Sequence, residues 1–237
     1  MPIPTPILLL ALALASLAGC ATPEPADSAD GGWHAVQLPG KAGTRYTRAT
    51  KDGREAIAAD ADRSASMWRR KLSVTPAAVA EVRFSWWLER APDNASVADV
   101  EREDAGARVL FAFDGDHARL APRTRMLFDL AEALTGEKPP YATLMYVWDS
   151  NAPIGTVIVN PRTDRIRKIV VDSGPMHLRR WRDHRRDLRA DFRRAFGEDP
   201  GALVSVAVMT DSDNTASRAQ AWYGAVTIDD GSVATAH

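Results

Sequence analysis

Val82-Arg83-Phe84-Ser85-Trp86-Trp87-Leu88-Glu89 is the stretch that decides the fold. Val82, Phe84, Trp86 and Leu88 fall on one face of an extended segment, and Arg83, Ser85, Trp87 and Glu89 fall on the other. A period of two with one apolar face is the pattern of an antiparallel strand half-buried against a core. The same period recurs outward from this stretch, from about Arg45 onward, with strands expected over residues 67–72, 109–113, 144–148, 156–160, 166–171, 203–210 and 223–228. Many short strands separated by turn residues imply a β-sandwich or jelly roll.

Two segments depart from that period. Residues 123–134, stopped by Thr135-Gly136, and residues 178–196, stopped by Gly197, read as helices with glycine ends. In the second, Trp181, His184, Leu188, Phe192 and Phe196 share a stripe at helical spacing, while Arg179, Arg182, Arg186, Arg189 and Arg193 occupy the other side. The expected fold is therefore mainly β: a jelly-roll-like antiparallel β-sandwich with one or two packed α-helices.

The N-terminus carries an address. Residues 7–20 are apolar and end in Leu17-Ala18-Gly19-Cys20, which contains the only cysteine of the chain. The run is too short to span a bilayer comfortably and has the length of a secretory signal core. Small residues directly before a cysteine are the pattern that a lipoprotein signal peptidase reads. The expectation is a lipoprotein signal peptide over residues 1–19, palmitate-type lipidation at Cys20, a lipidated polar tether over 20–32 and a single β-sandwich domain over 33–237. Ala21, where an aspartate would retain the protein at the inner membrane, favours the outer membrane facing the periplasm. The membrane is thus an expected partner through the lipid anchor.

Composition removes several classes of function. Thirty basic residues against 31 acidic ones give a net charge of −1, so the basic footprint of a nucleic-acid binder is missing. A lone cysteine excludes an intrachain disulfide, and its acylation withdraws thiol chemistry. No Gly-x-Ser-x-Gly elbow, His-Glu-x-x-His helix or glycine-rich phosphate loop is present. The five histidines are scattered, and His184 on an apolar stripe reads as a satisfied core residue. Nothing in the sequence sets an oligomeric state.

Three constellations remain as candidate sites. The densest is Thr210-Asp211-Ser212-Asp213-Asn214-Thr215, after the apolar strand at 203–208. Its side chains can grip hydroxyls, cap turns, or offer Asp211, Asp213 and Asn214 as oxygen ligands for calcium, although Ala216 and Trp222 break the EF-hand pattern. The second is aromatic: Tyr146 and Trp148 lie on one side of a strand, and Trp87 lies on the polar side of its own, where a ring can stack on a sugar. The third is the arginine-rich face at 179–194, either an anion site or a solvated face paired with Asp183, Asp187 and Asp191.

Asp104-x-x-x-Arg108, Tyr146-x-Trp148, Arg186 with Asp191-Phe192, Phe196-Gly197-Glu198 and Met209 to Thr215 together resemble a domain-of-unknown-function family of exported proteobacterial proteins. The resemblance covers nearly the whole chain after the tether. Arg185 and Asp187 stand where that family usually has Glu and Asn. It implies export, a fold similar to jelly-roll carbohydrate-binding modules, and a polar cluster that unites Asp104, Arg108, Arg186, Asp191 and residues 211–215. The resulting expectation is a non-catalytic envelope lipoprotein that binds a glycan or another polar envelope ligand without a cofactor other than calcium. An envelope hydrolase using Asp104, Asp211 or Asp213 as acid and base, and an assembly factor binding another envelope protein, are the alternatives.

Overall fold

The alternation at 82–89 becomes a strand because its apolar residues have a second sheet to meet. The computed structural model describes residues 32–229 and 232–234; the expected signal peptide and Cys20 lie outside them. With strands numbered along the chain, sheet A has the order β1 (Trp33–Gln37), β4 (Ala65–Val74), β11 (Leu203–Asp211), β6 (Arg108–Phe113), β7 (Ala142–Asp149), β9 (Ile166–Ser173) and β8 (Val157–Val159). Sheet B runs β14 (Ser232–Ala234), β13 (Val226–Ile228), β5 (Glu81–Arg90), β12 (Arg218–Tyr223), β3 (Arg54–Asp62) and β2 (Arg45–Lys51). A further strand, β10 (Trp181–Asp187), also pairs with β5. Neighbours are antiparallel except β7 and β9.

The inner faces form the core. Phe84, Trp86 and Leu88 from sheet B meet Phe111, Leu144 and Tyr146 from sheet A, all with 2% exposure or less. Phe84 stacks on Tyr146 at 5.3 Å, and Trp86 tilts against Phe84 at 5.2 Å. Each of these side chains contributes about 1.5–3 kcal/mol through removal from water. The protein is a jelly-roll-like β-sandwich, as the alternation predicts.

Two α-helices join the sheets. Helix α1 (Pro122–Thr135) starts at a proline whose fixed φ suits the first turn, and it stops at Gly136 in the left-handed conformation, φ 72°. It buries only Thr124 and Phe128. Helix α2 (Leu188–Phe196) is capped by Asp187, whose side chain accepts the Ala190 amide at 2.8 Å.

The expected helix over 178–196 is corrected by the structure. Its first half is strand β10, with Trp181 opposite Trp87 and His184 opposite Phe84. Arg182, His184 and Arg186 alternate toward acidic partners supplied by other segments: Asp172 for the first two, and Asp191 for the third. A polar side chain enters a sheet interface when its partner is already there, and local spacing cannot show that partner. His184 is satisfied, at 2.9 Å from Asp172 and stacked on Phe84, but on a strand.

Candidate functional site

Sheet A is apolar on both faces. Alternation on β11, β6 and β7 turns Val208, Phe111 and Tyr146 inward, which leaves Ala207, Met209, Leu110 and Met145 on the outer face. Strand register arranges that face in rows. Met67, Met209 and Arg108 are aligned; Arg69, Ala207, Leu110 and Met145 follow; Lys71, Ser205, Ala112 and Thr143 come next. The rows form the floor of a cleft of about 1000 Å³, walled by the 36–41 segment on one side and by Ala131 and Thr135 of α1 with residues 137–140 on another. Among the described residues lining it there is no Trp, Tyr or Phe.

One end of the cleft is a closely bonded set of charges. Arg108 opens β6 beside Met209, so its side chain reaches Asp211, two residues further along the same face of β11. Arg108 Nη2 and Nε lie 2.7 and 3.1 Å from the two oxygens of Asp211, and the Ala105 amide donates to Asp211 at 2.9 Å. Asp104 accepts the Thr215 hydroxyl at 2.6 Å and its amide at 2.7 Å, together with the Asn214 amide at 3.2 Å. Lys41 pairs with Asp213. Glu103 receives Lys168 at 2.6 Å, Asn160 at 2.8 Å and Arg162 at 3.0 Å.

Burial sets the titration of this group. It pushes Asp211 up to about 6, against the opposing pull of Arg108 and the Ala105 amide. It also pushes Lys168 down to about 8, with Arg108 adding repulsion. Burial opposes the charge on Arg108 as well, but Asp211, Glu103 and Asp104 outweigh it and raise its pKa. Arg108 and Asp211 form a bidentate pair in which burial alone does not separate the charges.

The structure divides the single cluster expected from sequence. Asp104, Arg108, Asp211, Asp213, Asn214 and Thr215 do meet, and Asp104, Asp211 and Asp213 each place an oxygen within 4.8 Å of the others. Asp104 joins Asp211 and Asp213 in this acidic group, and the Asn214 side-chain amide donates to the Val100 carbonyl at 3.1 Å. Arg186 and Asp191 are elsewhere, in a bidentate pair at 2.8 Å that also holds the Tyr146 hydroxyl on the inner side of sheet A.

Two of the aromatic candidates are corrected too. Tyr146 and Trp148 are 0% and 3% exposed, packed between the sheets, and present no ring to a ligand. Trp87 is half-buried on the outer face of sheet B, with Lys51 over its ring at 4.6 Å and its indole donating to Glu89. Asp172, a further carboxylate the hydrolase alternative could draw on, is fully buried in the sandwich, bonded to Trp86, His184 and Arg182. The arginine face of 179–194 is dispersed: Asp183 pairs with Arg54, Asp187 caps α2 and Asp191 holds Arg186.

The cleft floor itself escaped the sequence reading. Its signal was present in the runs 109–113, 144–148 and 206–209, which are apolar at consecutive positions where a strand with one wet face would alternate.

A family profile described as a protein of unknown function, DUF3047, matches residues 31–227. No curated protein matches the sequence. Among solved structures, a cellulase derived from the Cel12A enzyme of Rhodothermus marinus is similar, with 13% identity and a TM-score of 0.44 over 84% of this chain and 93% of that one. The xyloglucanase domain of NopAA from Sinorhizobium fredii matches with 8% identity and a TM-score of 0.40 over 85% and 100%. The glycoside hydrolase domain of Endo-D from Streptococcus pneumoniae R6 matches with 12% identity and a TM-score of 0.32; 84% of this chain is covered, but only 21% of that one.

Proposed function

We infer that this chain, which belongs to the DUF3047 family of unknown function, is a non-catalytic binding protein of the cell envelope, anchored through Cys20. It holds an elongated envelope ligand along the outer face of sheet A. The observation that carries the reading is the pairing of an open cleft of about 1000 Å³ with carboxylates that are all engaged. A binding site of this kind needs shape and a few polar contacts, and Gln37 and Arg162 supply such contacts at the cleft wall.

Hydrolysis is the second reading, favoured by Asp211 titrating near 6 beside Asp104 and Asp213. A general acid must reach its substrate. Both oxygens of Asp211 are held by Arg108 and the Ala105 amide, and its side chain is only 6% exposed. Asp104 is likewise covered by Thr215 and Asn214.

The test is titration of the full chain with lipopolysaccharide, peptidoglycan fragments, neutral oligosaccharides and phospholipid, alongside a variant that fills the floor, Ser205→Trp. At least one ligand class binds the native chain, is weakened at least tenfold by the substitution and is recovered unchanged. Failure of every class to bind overturns the proposal. Release of cleavage products that stops in Asp213→Asn and Asp211→Asn replaces it with hydrolysis.

A further inference from the structure

We propose that the ligand of this cleft is a single-chain anionic amphiphile whose alkyl chain lies on the floor and whose head meets the cations next to α1. The inference rests on the outer face of sheet A being the ligand site and names the chemistry it selects. The floor is built from Met67, Leu110, Met145, Ala207 and Met209, which are aliphatic or thioether groups. Sugar rings are gripped by flat aromatic faces and hydroxyl-directed polar groups. A floor of methionine and leucine offers neither and instead fits a flexible hydrocarbon, because methionine adapts its shape to an irregular apolar partner.

Charge fixes the direction. At the Asp211 end, Lys41, Arg108, Arg162 and Lys168 face Glu103, Asp104, Asp211 and Asp213, four cations against four acids. At the α1 end, Arg69, Lys71 and Lys138 line the cleft with Glu137 and Asp114, three cations against two acids. Arg69 and Lys71 share the single Glu137 carboxylate at 2.8 and 3.3 Å. A carboxylate or sulfate head placed there meets a locally uncompensated positive charge from Arg69, Lys71 and Lys138. Helix α1, whose Ala131 forms part of this wall, exposes Met126, Leu130 and Leu134 by 56–69% on an adjacent face, which adds apolar surface at the same end.

The experiment is calorimetric titration of the full chain with octanoate, decanoate and dodecanoate below their micelle concentrations. An uncharged alkyl glucoside and a neutral oligosaccharide are titrated in parallel. The carboxylates bind, and each methylene removed weakens Kd by about two- to fourfold. Lys71→Glu with Lys138→Glu, both at exposed positions, weakens dodecanoate at least tenfold and leaves the alkyl glucoside unchanged. Binding of the oligosaccharide without the carboxylates overturns this inference and leaves the cleft as the ligand site. Binding of neither, together with failure of the envelope panel, overturns both. Carboxylate binding indifferent to chain length, or to the double substitution, overturns the placement of tail or head.

Discussion

Replacing Lys168 with methionine changes the pH dependence of folding by an amount that follows from its surroundings. Lys168 is fully buried, and its Nζ donates to the Val97 carbonyl at 2.7 Å and to Glu103 at 2.6 Å. Burial, then repulsion from Arg108, lowers its pKa from 10.5 to about 8. A base with a depressed native pKa binds fewer protons folded than unfolded between those two values, so stability rises with pH through that window. The gain from pH 7 to pH 10 is about 2–3 kcal/mol, with a slope limited to roughly 1.4 kcal/mol per pH unit. Lys168→Met removes this titration. Glu103 keeps Asn160 and Arg162, so it is not stranded; the change at pH 7 stays within about 2 kcal/mol because the lost ion pair is offset by the lost desolvation of the ammonium.

Urea unfolding of both proteins at pH 7, 8, 9 and 10 reads the effect. The stability difference, native minus variant, cancels the other titrating groups and grows by about 2–3 kcal/mol across the series. A difference that stays flat or shrinks refutes this, because it shows an ammonium whose pKa burial has not lowered. The variant should also keep the ligand affinity of the native chain within about threefold. A larger loss would move Lys168 from the frame of the cleft into its binding surface.

Asp172→Asn removes the acceptor shared by Trp86, His184 and Arg182 and should lower stability by about 3–5 kcal/mol; a loss under 1 kcal/mol in urea unfolding contradicts the central role given to this carboxylate. Burial opposes its ionisation, but His184 and Trp86 overcome that and set its pKa below 3.8. Its stabilisation is therefore complete above about pH 4 and fades as pH falls through the lower native value. Gly201→Ala places a Cβ 2.0 Å from the Asp114 carbonyl oxygen, a backbone atom that cannot swing away. It should lower stability by about 2–3 kcal/mol, and an unchanged melting temperature would refute that contact. Calcium at a hundredfold excess over its Kd adds about 2.7 kcal/mol to any protein with a site. Because Arg108 and Lys41 already neutralise Asp211 and Asp213, calcium should leave the melting temperature unchanged, and an upward shift would show that the cation displaces Lys41.

Elements with one apolar and one polar face were legible in the sequence, because periodicity records which side meets the core. Strand β5 is such a case, and so is the second half of the 178–196 segment, where Leu188 and Phe192 are fully buried. Strand β10 was not legible. Its inward residues are Arg182, His184 and Arg186, and what makes them strand-like is the presence of Asp172 and Asp191, brought by β9 and α2. The Asp211 cluster was legible in part, since Asp104, Arg108 and residues 211–215 stood out as polar groups at strand ends. The separation of Arg186 from that cluster depends on which side of sheet A each strand presents, and no linear motif records it.

Strands β6 and β7 are buried at every position, a pattern that ordinarily marks a sheet covered on both faces. Sheet B covers one. On the other face, Leu110, Met145 and Met209 are only 6–8% exposed within a second apolar cluster that includes Val97, Ala105 and Ala207, and they line a cleft. Replacing Leu110, Met145 or Met209 with a polar residue would therefore leave the sandwich core unchanged while removing apolar surface that only a ligand can bury further. A core role predicts loss of stability of 2–5 kcal/mol for truncation to alanine; a ligand-facing role predicts a smaller loss, paired with weakened alkyl binding. The ratio of those two effects at Met145, read in one variant by unfolding and titration together, separates a packed sheet from a binding floor.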